Sequence, residues 1–252
     1  MPAKRVRADK LLVDRGFAAS RDRARRLIMS GEVWLGDHRL AKPSDLVADD
    51  AGVEVRGPDI PFVSRGGLKL QAALDHWQVD VHRLAVVDIG ASTGGFTDCV
   101  LQRGARHVYA IDVGYGQFAW KLRQDARVTL FERANIRSFE PGRLPELADL
   151  AVIDVSFISL RLVLPGALRL VHPSGRILAL VKPQFEVGKG EVGKGGVVRD
   201  PAQHDAAVQA IAEFGERLGL TCHGVCPSPI LGPKGNREFF LSFGAAKTDV
   251  GA

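Results

Sequence analysis

The run Val86-Val87-Asp88-Ile89-Gly90-Ala91-Ser92-Thr93-Gly94-Gly95-Phe96-Thr97 sets the architecture of this chain. Two β-branched residues lead into an acid, then a turn of small residues, then a segment with helical character. This is a strand–loop–helix unit of the kind that holds a nucleotide-like ligand at a helix N-terminus. A dinucleotide fingerprint needs G-x-G-x-x-G, and here Ser92 stands at the second glycine. Asp88, just ahead of the loop, would repel a pyrophosphate but suits a cationic amino-acid group such as that of S-adenosylmethionine. Gly90, Ala91, Ser92, Gly94, Gly95 and Phe96 are the candidate loop contacts. Asp112, ending the next strand, is placed to accept from ribose hydroxyls.

Outward from that loop the chain alternates strand and helix. Strands are expected over 84–89, 107–111, 128–131, 150–155 and 176–181, with helices over 97–103 and 117–124 between them. Asp200-Pro201 opens a further helix, the acid as cap and proline at its first position. Strands over 220–225 and 238–243, joined by a turn at Gly232-Pro233-Lys234-Gly235-Asn236, should pair antiparallel because no helix separates them. The fold class is α/β, a mostly parallel sheet ending in an antiparallel hairpin. Such a sheet resembles the Rossmann-like (class I) methyltransferases that use S-adenosylmethionine.

Ahead of this body lies a basic module. Residues 1–42 hold eleven Lys/Arg against five acids, a balance of +6 in a chain whose net charge is +5. A polyanionic partner is expected there. Leu11, Leu12 and Phe17 suit a first helix ending at Gly16, and Ser20 caps a second that Gly31 closes. On that second helix Arg21, Arg23, Arg25 and Arg26 should fan over a broad solvent face. A hairpin follows, Val33 to Leu35 turning at Gly36-Asp37. The pattern Arg7-x-Asp9, Ser20-Arg21-x-x-Ala24, Ile28-x-x-Gly31-x-Val33 and Lys42-Pro43 resembles the small RNA-binding domain named after ribosomal protein S-four. The resemblance implies a small α+β domain that binds structured RNA, with Arg5, Arg7, Lys10, Arg21, Arg23, Arg25, Arg26, Lys42 and Arg65 as candidate contacts. Domains are expected over 1–57 and 65–245, with a Pro-rich linker over 58–64 and a tail over 246–252.

Chemistry at the sheet follows from topology. In an open parallel sheet, ligands sit beyond the carboxyl ends of the strands. Asp154 ends the fourth strand, Lys182 follows the fifth, Glu238 begins the antiparallel last strand at the same edge, and Lys69 lies on a helix before the first strand. Two lures are set aside. Gly188 to Gly195 almost spells a phosphate-binding loop, but Gly195 replaces the Ser/Thr that would hold Mg²⁺, so the run is read as a lid or a plain loop. Cys222-His223-Gly224-Val225-Cys226 would place its cysteines on one strand face and His223 on the other, so no metal is expected. With Cys99 these make three cysteines, too few for a disulfide framework.

The set Lys69, Asp154, Lys182 and Glu238 resembles the Lys-Asp-Lys-Glu tetrad of FtsJ-type RNA 2′-O-ribose methyltransferases. The blocks 90–97, 112–117, 154–159 and 182–189 resemble the TlyA family, whose members methylate cytidine 2′-hydroxyls in ribosomal RNA and are often labelled haemolysins. The resemblance implies catalysis by that tetrad, and cofactor contacts on the 88–96 loop, Asp112 and, for the adenine, Asn135 and Ile136. Ile60-Pro61-Phe62 stands where some members carry Arg and Trp, and the longer C-terminal extension of members that modify both ribosomal subunits is absent, which favours a large-subunit target. A charged N-terminus without an apolar segment, and no apolar run of about 18 residues, give the expectation of a cytoplasmic protein with no membrane partner, taken as a monomer. Two other readings are a membrane-active haemolysin, whose amphipathic candidate is 160–171, and an RNA-binding assembly factor without catalysis.

Overall fold

The computed structural model describes residues 4–245 apart from 19, 30, 56–59, 189, 191 and 194, and leaves the side chains of Arg26, Pro233 and Ala245 undescribed. Two compact units result, Met1–Pro61 and Phe62–Ala252. The end of the expected linker belongs to the second unit: Phe62 and Val63 are buried, and the Val63 N–H donates to Asp98 Oδ2 at 2.7 Å. The expected tail and the linker's first two residues lie outside the described residues.

The first unit runs β1 (Arg5–Arg7), α1 (Ala8–Asp14), α2 (Arg21–Met29), β2 (Val33–Leu35), β3 (His38–Arg39), β4 (Leu46–Ala48) and β5 (Val53–Val55). β1 pairs antiparallel with β4, and β2 lies between β3 and β5. Leu11, Leu12, Ala24, Leu27, Ile28 and Val33 form its core, which is why α1 and α2 carry apolar residues at helical spacing. Ser20 caps α2, its Oγ accepting from the Arg23 N–H at 3.2 Å, and Gly31 closes it with φ +75°. Two expectations change. Phe17 is exposed while Ala18 is buried, because α1 ends at Asp14 and the chain then turns. The arginines do not simply fan into solvent: Arg21 and Arg25 turn with Arg7 onto one buried carboxylate, Asp9.

The second unit runs α3 (Gly66–His76), β6 (Ala85–Ile89), α4 (Gly95–Gln102), β7 (His107–Ile111), α5 (Trp120–Arg123), β8 (Val128–Phe131), β9 (Ala148–Ile153), α6 (Leu160–Leu168), β10 (Val171–Val181), α7 (Pro183–Glu186), α8 (Pro201–Arg217), β11 (Leu220–Pro227) and β12 (Phe239–Ala245). Its seven strands take the order β11-β12-β10-β9-β6-β7-β8. β10, β9, β6, β7 and β8 are mutually parallel, and β12 is antiparallel to both β10 and β11. All five residues of β6 are buried, as a central parallel strand covered on both faces requires. From β6 the chain steps outward through β7 and β8, then returns to add β9 on the other side. The border between β6 and β9 is thus the point where strand order reverses, the place where such sheets open a crevice for ligands.

Local departures have identifiable causes. α5 is shorter than the 117–124 expected, starting only at Trp120 after Gly116 at φ +73°. β10 starts earlier than expected, at Val171, and a register shift between Val171 and Arg176 accommodates Gly175. α6 runs through Pro165 rather than stopping there. Leu160, Val163, Leu164 and Ala167 turn into the core, so the apolar face proposed for a membrane is spent on the sheet. Among the described residues no helix is long and apolar enough to cross a membrane. In β11 a bulge between Cys222 and Val225 breaks the simple alternation expected for Cys222, His223 and Cys226.

Candidate active site

The loop after β6 is shaped by what its glycines allow. A Cβ on Gly90 would lie 2.4 Å from the backbone oxygen of Asp154, and one on Gly95 would lie 2.2 Å from Ser64 Oγ. Only residues without side chains let the loop close on β9 and on the segment leading to α3. Asp88 sits behind this loop, fully buried. Its Oδ2 accepts from Thr97 Oγ1 at 2.6 Å, tying the strand end to the first turn of α4. Its Oδ1 has no hydrogen-bond partner among the described residues. Burial pushes the Asp88 carboxyl up to about 7, with Asp154 and Asp112 adding to the effect and the Thr97 hydrogen bond opposing it.

Two cavities open at the carboxyl edge of the sheet. The first, of about 440 Å³, is lined by Gly90, Ser92, Asp112, Asn135, Ile136 and Asp154 among others. The Asp112 carboxylate accepts from the Ser92 N–H at 2.7 Å and from the Gly114 N–H at 2.6 Å, which aims it across the loop. Asn135 Oδ1 accepts from the Arg137 N–H at 3.0 Å, and Ile136 is buried beside it. An acid at the end of β7, an apolar floor at Ile136 and a glycine-rich rim suit a nucleoside carrying an amino-acid group. S-Adenosylmethionine fits this set of groups.

The second cavity, of about 260 Å³, is lined by Ser64, Arg65, Lys69, Ala91, Gly95, Phe96 and Lys182, and again by Gly90, Ser92 and Asp154. Besides Arg65, its two lysines each stand in a charge pair. Lys69 Nζ donates to Glu238 Oε2 at 2.5 Å, both side chains being buried. Lys182 Nζ stands 2.6 Å from Asp154 Oδ1 and donates to Ser156 Oγ at 2.8 Å. Lys69 comes from α3, Asp154 from the end of β9, Lys182 from the end of β10 and Glu238 from the residue before β12. The antiparallel hairpin is what delivers Glu238 to the edge shared by the parallel strands.

The structure sorts the sequence candidates unevenly. Gly90, Ser92, Asp112, Asn135 and Ile136 line the first cavity, whereas Ala91, Gly95 and Phe96 line the second. Phe96 packs on Phe240 of β12, ring centroids 5.9 Å apart. Neither Asp88 nor Gly94 reaches a cavity wall: Asp88 pins α4 from behind, and a Cβ on Gly94 would lie 2.5 Å from Leu122. Arg65, grouped with the RNA contacts, precedes α3 and lines the second cavity. In the first unit Arg5, Lys10 and Lys42 are exposed and Arg23 is half-buried; the Arg26 side chain lies outside the described ones. Ser156 was missed. Its signal was its place two residues after Asp154, on the loop that must face Lys182.

Comparison with known proteins agrees with this fold. The family described as FtsJ-like methyltransferase matches residues 62–245, and the S4 domain matches residues 6–53. The Bacillus subtilis protein YqxC is 49% identical over 242 residues, covering 96% of this chain and 86% of the relative. The Mycobacterium tuberculosis protein named 16S/23S rRNA (cytidine-2′-O)-methyltransferase TlyA is 47% identical over 240 residues, covering 95% of this chain and 90% of the relative. A solved structure from Streptococcus thermophilus, whose description carries the name hemolysin, superposes with a TM-score of 0.77 at 41% identity, covering 96% of this chain and 89% of that one. The chain is thus a methyltransferase, S-adenosylmethionine is the cofactor that goes with this family and fold, and the N-terminal unit is an S4 domain. The protein belongs to the FtsJ-like methyltransferase family, among its S4-bearing TlyA members.

Proposed function

We propose that this protein methylates the ribose 2′-hydroxyl of a cytidine in ribosomal RNA, with Lys69, Asp154, Lys182 and Glu238 as the catalytic set. The observation that carries the reading is the shared wall: Gly90, Ser92 and Asp154 line both cavities. A donor in the first would therefore face an acceptor in the second across that wall. The target comes from the names of two relatives, 16S/23S rRNA (cytidine-2′-O)-methyltransferase in Mycobacterium tuberculosis and 23S rRNA (cytidine-2′-O)-methyltransferase in Campylobacter jejuni; the large subunit, common to both names, is the first substrate to test.

In this reading Gly90, Ser92, Asp112, Asn135 and Ile136 hold S-adenosylmethionine, which when bound supplies a methyl group on a positively charged sulfur. A ribose hydroxyl is a poor nucleophile at neutral pH, so the protein must position it and handle its proton. Lys182, as the neutral amine, takes the proton of the 2′-oxygen while the methyl group leaves the sulfur. Asp154 and Ser156 hold its amino group from two sides, so that the direction of the nitrogen lone pair is set by geometry rather than by solvent. Glu238 fixes Lys69 in the same way, and the second lysine orients the ribose. Lys182→Ala should lower transfer to ribosomal subunits by about 10²–10⁴-fold, while calorimetry finds S-adenosylmethionine binding retained. Full activity in that variant would remove Lys182 from the mechanism.

A further inference from the structure

Asp9, in the first turn of α1, is fully buried, yet three guanidinium groups stand against its two oxygens. Arg7 forks onto it, Nε to Oδ1 at 3.0 Å and Nη2 to Oδ2 at 3.1 Å. Arg21 Nη2 donates to Oδ2 at 3.0 Å, and Arg25 Nε reaches the same oxygen at 3.4 Å. The hydrogen bonds from Arg7 and then Arg21 hold the Asp9 carboxyl well below the usual carboxylate range, although burial acts the other way.

Neutralising one buried carboxylate needs one arginine. Three bring mutual repulsion, and buried ion pairs are in any case weak sources of stability. Each arginine also keeps about half its side chain in solvent, 42%, 53% and 51% exposed for Arg7, Arg21 and Arg25. Asp9 contacts Arg7 through Nε and Nη2, Arg21 through Nη2 and Arg25 through Nε, so each guanidinium group carries further N–H donors beyond these contacts, and the cluster holds two positive charges in excess. Arg5 and Lys10, both exposed, extend the charge along β1 and α1. Guanidinium forks fixed in this way match the paired oxygens of phosphodiesters.

We infer that Asp9 is a positioning residue for RNA, gathering Arg7, Arg21 and Arg25 into one cradle for backbone phosphates of folded RNA. This deepens the proposed function and rests on it for the identity of the RNA. It has a sign that simple electrostatics does not share. Asp9→Asn makes the unit more positive by one charge, so binding governed by net charge would tighten. Binding governed by the cradle weakens.

The test measures affinity of the full-length protein for isolated ribosomal subunits across a salt series, with steady-state methyl transfer alongside. The Asp9→Asn variant should bind at least tenfold more weakly and show a flatter salt dependence, each lost phosphate contact removing about 0.7–0.9 from the slope. The loss should fall on KM for the subunit rather than on kcat. Equal or tighter binding overturns the inference. Should Asp9→Asn unfold the S4 unit by circular dichroism, Arg21→Lys and Arg25→Lys decide instead, since they keep charge and lose the fork. Each should weaken binding several-fold, and undiminished binding overturns the cradle. Wild-type protein that binds subunits but transfers no methyl group would refute the proposed function and leave the affinity comparison to judge Asp9; wild-type protein that does not bind RNA would overturn both.

Discussion

The backbone oxygen of Asp154 occupies the space that any side chain on Gly90 would need, since a Cβ there would lie 2.4 Å from it. The contact joins the ends of β6 and β9 at the reversal of strand order, where both cavities share a wall. Gly90 also has φ +84°, a conformation that costs an L-residue on the order of 1–3 kcal/mol. Gly90→Ala should therefore lower the urea midpoint and weaken S-adenosylmethionine binding at least tenfold by calorimetry. Wild-type affinity in that variant would show that the loop does not need its close approach to Asp154.

Ser156 tests how Lys182 is held. Its Oγ accepts from Lys182 Nζ at 2.8 Å, and hydrogen bonds to charged groups contribute roughly 1.5–3 kcal/mol. Ser156→Ala should reduce kcat about tenfold or more and leave the ion pair with Asp154 in place. An unchanged kcat would assign the orientation of Lys182 to Asp154 alone.

Asp88 gives a pH dependence with a definite sign. In the unfolded chain its carboxyl loses the proton near the ordinary value of 3.8; in the folded protein it keeps it to about 7. Between those values the folded state binds more protons than the unfolded one, so this residue makes stability fall as pH rises. The effect is complete above about pH 7. Asp88→Asn removes the titration but keeps an oxygen for Thr97. Relative to wild type, the variant should gain stability in urea unfolding between pH 4 and 7 and no more beyond. Asp9 titrates alike in both proteins and cancels. A stability difference independent of pH would mean that Asp88 is ionised in the folded state.

Much of this was legible in the chain because short-range chemistry dictated it. The alternation of buried strands with helices, Asp200-Pro201 as a helix start and the return of the last strand all follow from local patterns, and they place Asp154, Lys182 and Glu238 at one edge. What was not legible depends on partners distant in sequence. The arginines of α2 look free at helical spacing, but Asp9 lies 12 residues ahead of Arg21 and collects it. Asp88 and Gly94 look like ligand contacts in a glycine-rich loop, yet packing against Thr97 and Leu122 turns them inward. Ala91, Gly95 and Phe96 share that loop, but its curvature hands them to the cavity of the lysines. The bulge in β11 left no mark beyond Gly224 at φ +117°.

The central claim is that the two cavities meet to place a methyl group on a ribose oxygen. Labelled S-adenosylmethionine, the purified protein and separated ribosomal subunits test it most directly, with the modified RNA digested to nucleosides and the site mapped by primer extension. The account predicts label in 2′-O-methylcytidine at a defined position with wild-type protein, formed about 10²–10⁴-fold more slowly with Lys182→Ala. Label on a base, or label formed equally fast with both proteins, would contradict it.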